Sequence, residues 1–315
     1  MKRSQTALLA LLAMAGASPA AAQPAPSLTP TVAPRQIQVE DPGHAPIRIA
    51  IWAPATGTDL ALVVISHGTG AGAISHIDTA EALAASGFVV VAPMHPGDNF
   101  QDDSNVGQPA WLVDRARNVT RVIDFMLGEW DGRARLAPNR IGVFGFSAGG
   151  TTALIAIGGV PDLALVAPHC ARQPEFVCRI MAAGPTVPAD PPQWTHDSRI
   201  KAAVIAAPGL GFAFAPSGLA GVHVPVQIWS GTADQIVPFE TNTALIVRQL
   251  GGQAEAHSVE GAVHLSFLSP CGPESPPQIC QDSPGFDRNA FHRTFNAAIA
   301  DFFRDRLGGS ARPRR

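Results

Sequence analysis

The sequence predicts an α/β fold, a mostly parallel sheet with helices on both faces. Two observations predict its layers. Short continuous apolar runs alternate with helix-period stretches along most of the chain, as strands buried on both sides require. One of those runs, Ile141-Gly142-Val143-Phe144, leads through Gly145-Phe146-Ser147-Ala148-Gly149 into an apolar helical stretch. That strand–turn–helix setting gives a G-x-S-x-G pattern its mechanical meaning. A third observation bears on size: 315 residues, 46% hydrophobic and 15% charged, can bury a large core. No internal repeat and no central linker interrupts the pattern, so one domain spanning 36–315 is expected.

In chain order, residues 1–22 read as a signal peptide. Lys2 and Arg3 precede an apolar run from Ala7 to Ala15 that is too short to span a bilayer, and Ala20-Ala21-Ala22 offers small residues for cleavage. The segment has neither a twin arginine nor a cysteine, which points to Sec export, periplasmic or secreted, without a lipid anchor. Residues 23–35 hold Pro24, Pro26, Pro30 and Pro34 and read as an exposed lead-in.

Alternating residues at 36–40 and 47–52, separated by Asp41-Pro42-Gly43, predict an antiparallel hairpin at a sheet edge. Leu60 to Ile65 is a buried strand, Ile74 to Ser86 a helix, and Phe88 to Ala92 a strand stopped by Pro93. Trp111 to Leu127 is a helix with Val119, Val122, Ile123 and Met126 on one face and Arg115, Arg117 and Arg121 elsewhere. After the strand and helix around Ser147 come strands at Ala202–Ala206 and Val224–Trp229 and a helix from about Glu240 to Leu250. A strand at Ala254–Val259 and a closing helix, Arg288–Arg306, complete the pattern. The span from about 158 to 200 is rich in proline and poor in periodicity, and reads as a small cap insertion.

Sheets of this kind place their chemistry at the carboxyl ends of the strands. The loop after Ile65, Ser66-His67-Gly68-Thr69-Gly70-Ala71, has the glycines that let N–H groups turn inward. Thr69 and Ala148 are the expected oxyanion-hole donors, and His67 reads as a structural hydrogen-bonding group. The loop after Trp229 carries Asp234, and Gly261-Ala262-Val263-His264 follows the last strand. Ser147, Asp234 and His264 stand in the order nucleophile, acid, base. A serine hydroxyl becomes a nucleophile when an imidazole takes its proton, and a carboxylate fixes that imidazole's tautomer.

The stretches SHGTGA, GFSAGG, SGTADQIVP and GAVHLSFL, with the ending CQDSPGFDRNAFHRTFNAAIADFF, resemble secreted bacterial α/β-hydrolases of the dienelactone-hydrolase-like or platelet-activating-factor-acetylhydrolase-like group. The resemblance covers nearly the whole chain after the leader and implies the α/β-hydrolase fold and acyl-transfer chemistry. Two departures stand out. Dienelactone hydrolases proper use a cysteine where this chain has Ser147. The acetylhydrolases take their acid after an earlier strand, where Ala206-Ala207-Pro208-Gly209-Leu210 offers no carboxylate.

The expected activity is hydrolysis of a small-molecule ester with a small or medium acyl group, through an acyl-enzyme, with no cofactor and no metal. The alternatives are a lipase- or phospholipase-type acetylhydrolase, a peptidase or amidase, and a non-catalytic binding protein on the same scaffold. Should Asp234 not serve as the acid, Asp197 and Asp190 are next in line. Phe212 and Phe214 either line an acyl pocket or pack the core beneath their loop. His95 and Asp98 form a pair without a third ligand and read as a loop near the site's rim, and His169 beside Cys170 does not make a zinc site. A net charge of −3 gives no footprint for nucleic acid or an anionic membrane. No stable membrane anchor is expected, and the oligomeric state is left open. Cys170, Cys178, Cys271 and Cys280 in an exported chain predict two disulfides. The pairing Cys170–Cys178 and Cys271–Cys280 is favoured because each brackets one short proline-containing loop; the rival pairing ties the cap to the histidine loop.

Overall fold

A computed structural model of the chain describes residues 33–182, 193–214 and 217–308. The expected signal peptide (1–22), residues 23–32 of the lead-in, residues 183–192 of the cap span and Asp190 with them lie outside the described residues.

Among the described residues eight strands form one sheet: β1 (Arg35–Val39), β2 (Ile47–Trp52), β3 (Leu60–Ser66), β4 (Val89–Met94), β5 (Leu136–Phe146), β6 (Ile200–Ala206), β7 (Val226–Gly231) and β8 (Ala254–Val259). Their spatial order is β1-β2-β4-β3-β5-β6-β7-β8. The opening hairpin is antiparallel, with Gln36 opposite Ala50 and Gln38 opposite Arg48, and β2 runs antiparallel to β4. From β4 to β8 every pairing is parallel. The helices are α1 (Ile77–Ala85), α2 (Trp111–Gly128), α3 (Ala148–Ala156), α4 (Val166–Arg172), α5 (Phe176–Ala182), α6 (Thr243–Leu250) and α7 (Arg288–Leu307). Among the described residues no helix is long and apolar enough to cross a membrane.

Strand β3 shows why its sequence reads as an unbroken apolar run. Leu62 and Val64 enter a core shared with Val119, Val122, Ile123 and Met126 of α2, Leu154 of α3 and Ile246 of α6. Ala61, Val63 and Ile65 enter a second core on the opposite face, with Leu83 of α1 and Phe295, Ile299 and Phe303 of α7. A central strand feeds two cores by its period of two, so both sets of side chains must be apolar. The closing helix is started by Asp287, whose carboxylate accepts the Ala290 N–H at 2.9 Å.

Several boundaries differ from expectation for physical reasons. Pro93 does not stop β4. It pairs opposite Ile49 of β2, and the ladder to β3 has ended by Val91, so its missing N–H removes no bond there. Helix α1 begins at Ile77 because Gly72 and Ser75 close a turn ahead of it, with the Gly72 N–H donating to Ser75 Oγ at 3.0 Å. This leaves Ile74 outside the helix and 52% exposed. The cap span contains α4 and α5, each of seven residues, too short to register as a period. The disulfides are Cys170–Cys178, which clips α4 to α5, and Cys271–Cys280, which closes a loop after His264.

Candidate active site

Strand β5 ends at Phe146 and α3 starts at Ala148, which leaves Ser147 alone on the turn at φ 55° and ψ −120°. A residue with a Cβ is strained at positive φ, and such strain persists only where its surroundings hold it. Here the Ser147 N–H donates to the Ala206 carbonyl at 2.9 Å, and the Ser147 carbonyl accepts from Gly150 at 2.9 Å and Gly209 at 3.3 Å. Both motif glycines are fixed by backbone contact. A Cβ on Gly145 would strike the Gly149 carbonyl, and one on Gly149 would strike the Ser66 carbonyl.

The three residues singled out in sequence meet at the carboxyl edge of the sheet. Ser147 Oγ lies 3.0 Å from His264 Nε2, and His264 Nδ1 lies 2.7 Å from Asp234 Oδ2. Asp234 Oδ1 is occupied by the N–H groups of Ile236 at 2.9 Å and Val237 at 2.8 Å. That leaves Oδ2 to accept Nδ1–H, so Nε2 carries the lone pair that faces the serine hydroxyl. Asp234 and His264 are buried, and the Phe146 ring lies 4.8 Å from the imidazole, limiting its tilt. The histidine loop is tied from behind: Ser266 Oγ donates to Asp282 at 2.6 Å, and Asp282 pairs with Arg288 at 2.9 Å. Asp197 stands just ahead of β6, at the opposite, amino edge of the parallel strands, where Arg199 clasps both its oxygens at 2.8 and 2.6 Å.

Thr69 and Ala148 both line the cavity in front of Ser147. Neither N–H donates to an acceptor among the described residues, so both are free to meet an oxyanion. His67 lies behind them. Its Nδ1–H donates to the Gly68 carbonyl at 2.7 Å and its Nε2 accepts the His95 N–H at 3.2 Å. Burial and the nearby Arg115 push its pKa down to about 3, which keeps it a neutral spacer.

Arg115, placed away from the apolar face in sequence, is fully buried. Trp111, Arg115, Val119, Val122 and Met126 follow one another at spacings of three and four, so Arg115 belongs to the buried stripe of α2. His95 and Asp98 are also buried rather than at the rim. Arg115 pairs with Asp98 at 2.5 Å, donates to the His67 carbonyl, and reaches Thr152 Oγ1 at 3.0 Å. Asp98 further accepts the Gly70 N–H at 2.7 Å and the Trp111 indole N–H at 2.6 Å. Burial alone would raise the Asp98 carboxyl, but Arg115 and these donors hold it below its ordinary value. The signal that could have located this cluster is the arginine's place in the stripe, together with an Asp in the loop after β4.

A cavity of about 1020 Å³ opens onto Ser147 and His264. Phe212 and Phe214 do not line it. Phe212 stacks flat on His169 at 3.6 Å, and Phe214 packs in the core on the α2 side of the sheet. Leu210 from the same loop does reach the cavity. His169 faces Glu175 at 2.9 Å, and its neighbour Cys170 is taken up in a disulfide.

Residues 47–183 match the dienelactone hydrolase family. A search of the curated proteins finds no match to the sequence. Among solved structures, a thermophilic esterase from the Planctomycetes species Thermogutta terrifontis is similar over 91% of this chain and 96% of its own, at 19% identity and a TM-score of 0.57. A second structure of that esterase, phosphorylated by paraoxon, is similar over 90% of this chain and 97% of its own, at 19% identity and a TM-score of 0.57. A puromycin-hydrolyzing peptidase of Mycobacterium tuberculosis is similar over 89% of this chain, at 16% identity and a TM-score of 0.58, and the chain spans 40% of its length. At these identities the common property is the fold. The chain therefore has the α/β-hydrolase fold, and its residues 47–183 match the dienelactone hydrolase family.

Proposed function

We propose that this protein is a serine hydrolase that cleaves carboxylic esters through an acyl-enzyme. The observation that carries the reading is the hydrogen-bond line from Asp234 through His264 to Ser147 on a strained turn. His264 Nε2 takes the hydroxyl proton as Ser147 Oγ attacks the ester carbonyl. The oxyanion forms against the N–H groups of Ala148 and Thr69. Collapse of the tetrahedral species expels the alcohol, which leaves with the proton held by His264. Water, deprotonated by the same imidazole, then attacks the acyl group and frees Ser147. Asp234 stays ionised throughout and stabilises the imidazolium. The paraoxon-phosphorylated esterase of the same fold supports a covalent route.

The expected leader at 1–22 and the two disulfides support a place outside the reducing cytosol, reached by the Sec route. A second reading, amide hydrolysis, is favoured by the peptidase of the same fold. One experiment separates them. The purified protein is assayed on p-nitrophenyl esters with the matching p-nitroanilides alongside, and treated with paraoxon before intact-mass and peptide analysis. Ester turnover with a single phosphoryl adduct on Ser147 is expected. Turnover of anilides alone would install the second reading, and the absence of both turnover and adduct would remove the first.

A further inference from the structure

The walls of the cavity in front of Ser147 say which kind of ester it takes. Ile74, Phe100, Phe176, Ile180, Leu210 and Leu268 are among its lining side chains. Of the five large apolar side chains left exposed among the described residues, three stand on this one cavity: Ile74 at 52%, Phe100 at 67% and Phe176 at 40%. Exposed apolar residues scattered singly need no explanation, but three on the lining of one cavity mark a binding face. The volume of about 1020 Å³ is at the upper end of what encloses a drug-sized ligand, so an acetyl group would leave most of it unfilled.

The charges on the walls are as informative. Among the described lining residues there is no lysine and no arginine, and the two carboxylates are Glu175 and Glu274. Glu175 is buried and engaged at both oxygens: Oε1 meets His169 at 2.9 Å and Thr241 at 2.5 Å, and Oε2 accepts from Asn242 at 2.9 Å. No cationic side chain lines the described walls to pair with a carboxylate or phosphate on a substrate, Arg179 standing off them over the Phe176 ring at 5.1 Å, and an unpaired anion buried against these side chains is strongly disfavoured. Arg115, the buried cation closest in sequence to the site's loops, is already committed to Asp98 and the His67 carbonyl.

We propose that the substrate is a neutral ester whose acyl or alcohol part is a long hydrocarbon chain, and that esters and lactones bearing a carboxylate are rejected. The proposal rests on the ester-hydrolase reading above and departs from the small or medium acyl group expected from sequence. Each methylene taken into the cavity strengthens transition-state binding by up to about fourfold. Chain length is therefore read directly in kcat/KM.

The test uses the full-length processed protein and substrates below their aggregation limits. Acyl length is varied as p-nitrophenyl acetate, butyrate and octanoate, alcohol length as ethyl and octyl acetate, and charge as p-nitrophenyl octanoate against the mono-p-nitrophenyl ester of suberic acid. In at least one of the two length series kcat/KM should rise by about 100-fold, and the suberate half-ester should fall about 100-fold below the octanoate. Phe100→Ser should lower the preference for the longer chain about tenfold. Phe176→Arg sets a cation on the lining itself and should raise the half-ester relative to octanoate about tenfold. Should either variant fail to fold, the other still decides. A preference for the shortest ester in both series, or equal turnover of charged and neutral esters, overturns the proposal. Paraoxon labelling of Ser147 and turnover of p-nitrophenyl acetate belong to the ester-hydrolase reading. Their presence without a length preference sinks the substrate class alone, and their absence sinks both.

Discussion

Arg115 and Asp98, each 1% exposed, form an ion pair directly beneath the loop that carries Thr69. The pair reaches both expected oxyanion donors. Asp98 holds the Gly70 N–H and Arg115 the His67 carbonyl, which brackets Thr69. Arg115 also holds Thr152 Oγ1, which in turn donates to the Ala148 carbonyl at 2.8 Å.

Breaking the pair should therefore show in both stability and rate. Arg115→Met leaves Asp98 buried without its partner, which should cost about 3–5 kcal/mol in urea unfolding and about 100-fold in kcat through misplaced donors. Arg115→Met with Asp98→Leu should recover most of the stability, since an apolar pair replaces the ions, but not the rate. Full recovery of kcat in the double variant would show that the pair only supports the fold.

Ser147→Ala should keep the circular-dichroism spectrum and melting profile of the parent while kcat falls by about a millionfold. Asp234→Asn should lose about four orders of magnitude, because the amide leaves the imidazole in the wrong tautomer. Near-parental rates in either variant would reassign the residue concerned.

Acid should destabilise the protein well before its carboxylates titrate. Burial pushes His67 down to about 3 and His76 to about 4, and holds His95 well below the ordinary imidazole value of 6.5. The unfolded chain takes up these protons near 6.5 and the folded chain does not. Stability therefore falls as pH drops from about 6.5 toward 4, with a limiting slope of about 4 kcal/mol per pH unit for three protons. Asp78 adds a second, lower window. Burial alone would raise it, but His292, Ser269 and Asn296 hold it down to about 2, so its contribution is present above 3.8 and lost as pH falls through about 2. Urea midpoints measured from pH 7 to pH 4 should decline steadily, and a flat series would mean that these imidazoles are not buried neutral.

Reduction should lower activity before it melts the sheet. Each disulfide closes a short loop, with sequence separations of 8 and 9, and should restrict the unfolded chain by about 2.5–3 kcal/mol. Cys271 follows His264 closely on the same loop, so opening that ring loosens the hold on the imidazole. Ester turnover under increasing phosphine reductant should fall while far-ultraviolet ellipticity is unchanged. Simultaneous loss of both would show that the rings hold the whole domain.

Much of the sheet was legible because its central strands feed two cores and so read as unbroken apolar runs. The positions of Ser147, Asp234 and His264 were legible because each lies on a loop after a strand, in an order that a parallel sheet brings to one edge. What could not be read came from contacts between distant parts of the chain. Phe212 was as consistent with a pocket as with a core, and its stacking on His169 decides between them. Arg115 lies in the buried stripe of α2 rather than away from it because Asp98, from another loop, supplies the counter-ion. Phe100 shows no pattern at all in sequence, because an exposed apolar side chain on a loop has no period to betray it, and Ile74, which reads as the start of a helix, stands exposed on the turn before it.

The two disulfides close locally, one between the neighbouring helices α4 and α5 and one within the loop after His264. Glu175, Phe176 and Val177 of one ring and Gly272 to Pro276 of the other stand in the cavity walls, while the candidate reacting groups stand at strand ends. Each wall is thus a covalently self-contained part. The Cys170–Cys178 ring could be lengthened, shortened or exchanged for a relative's without severing a bond to the sheet, so descendants of this chain can change what they accept while inheriting the same chemistry intact.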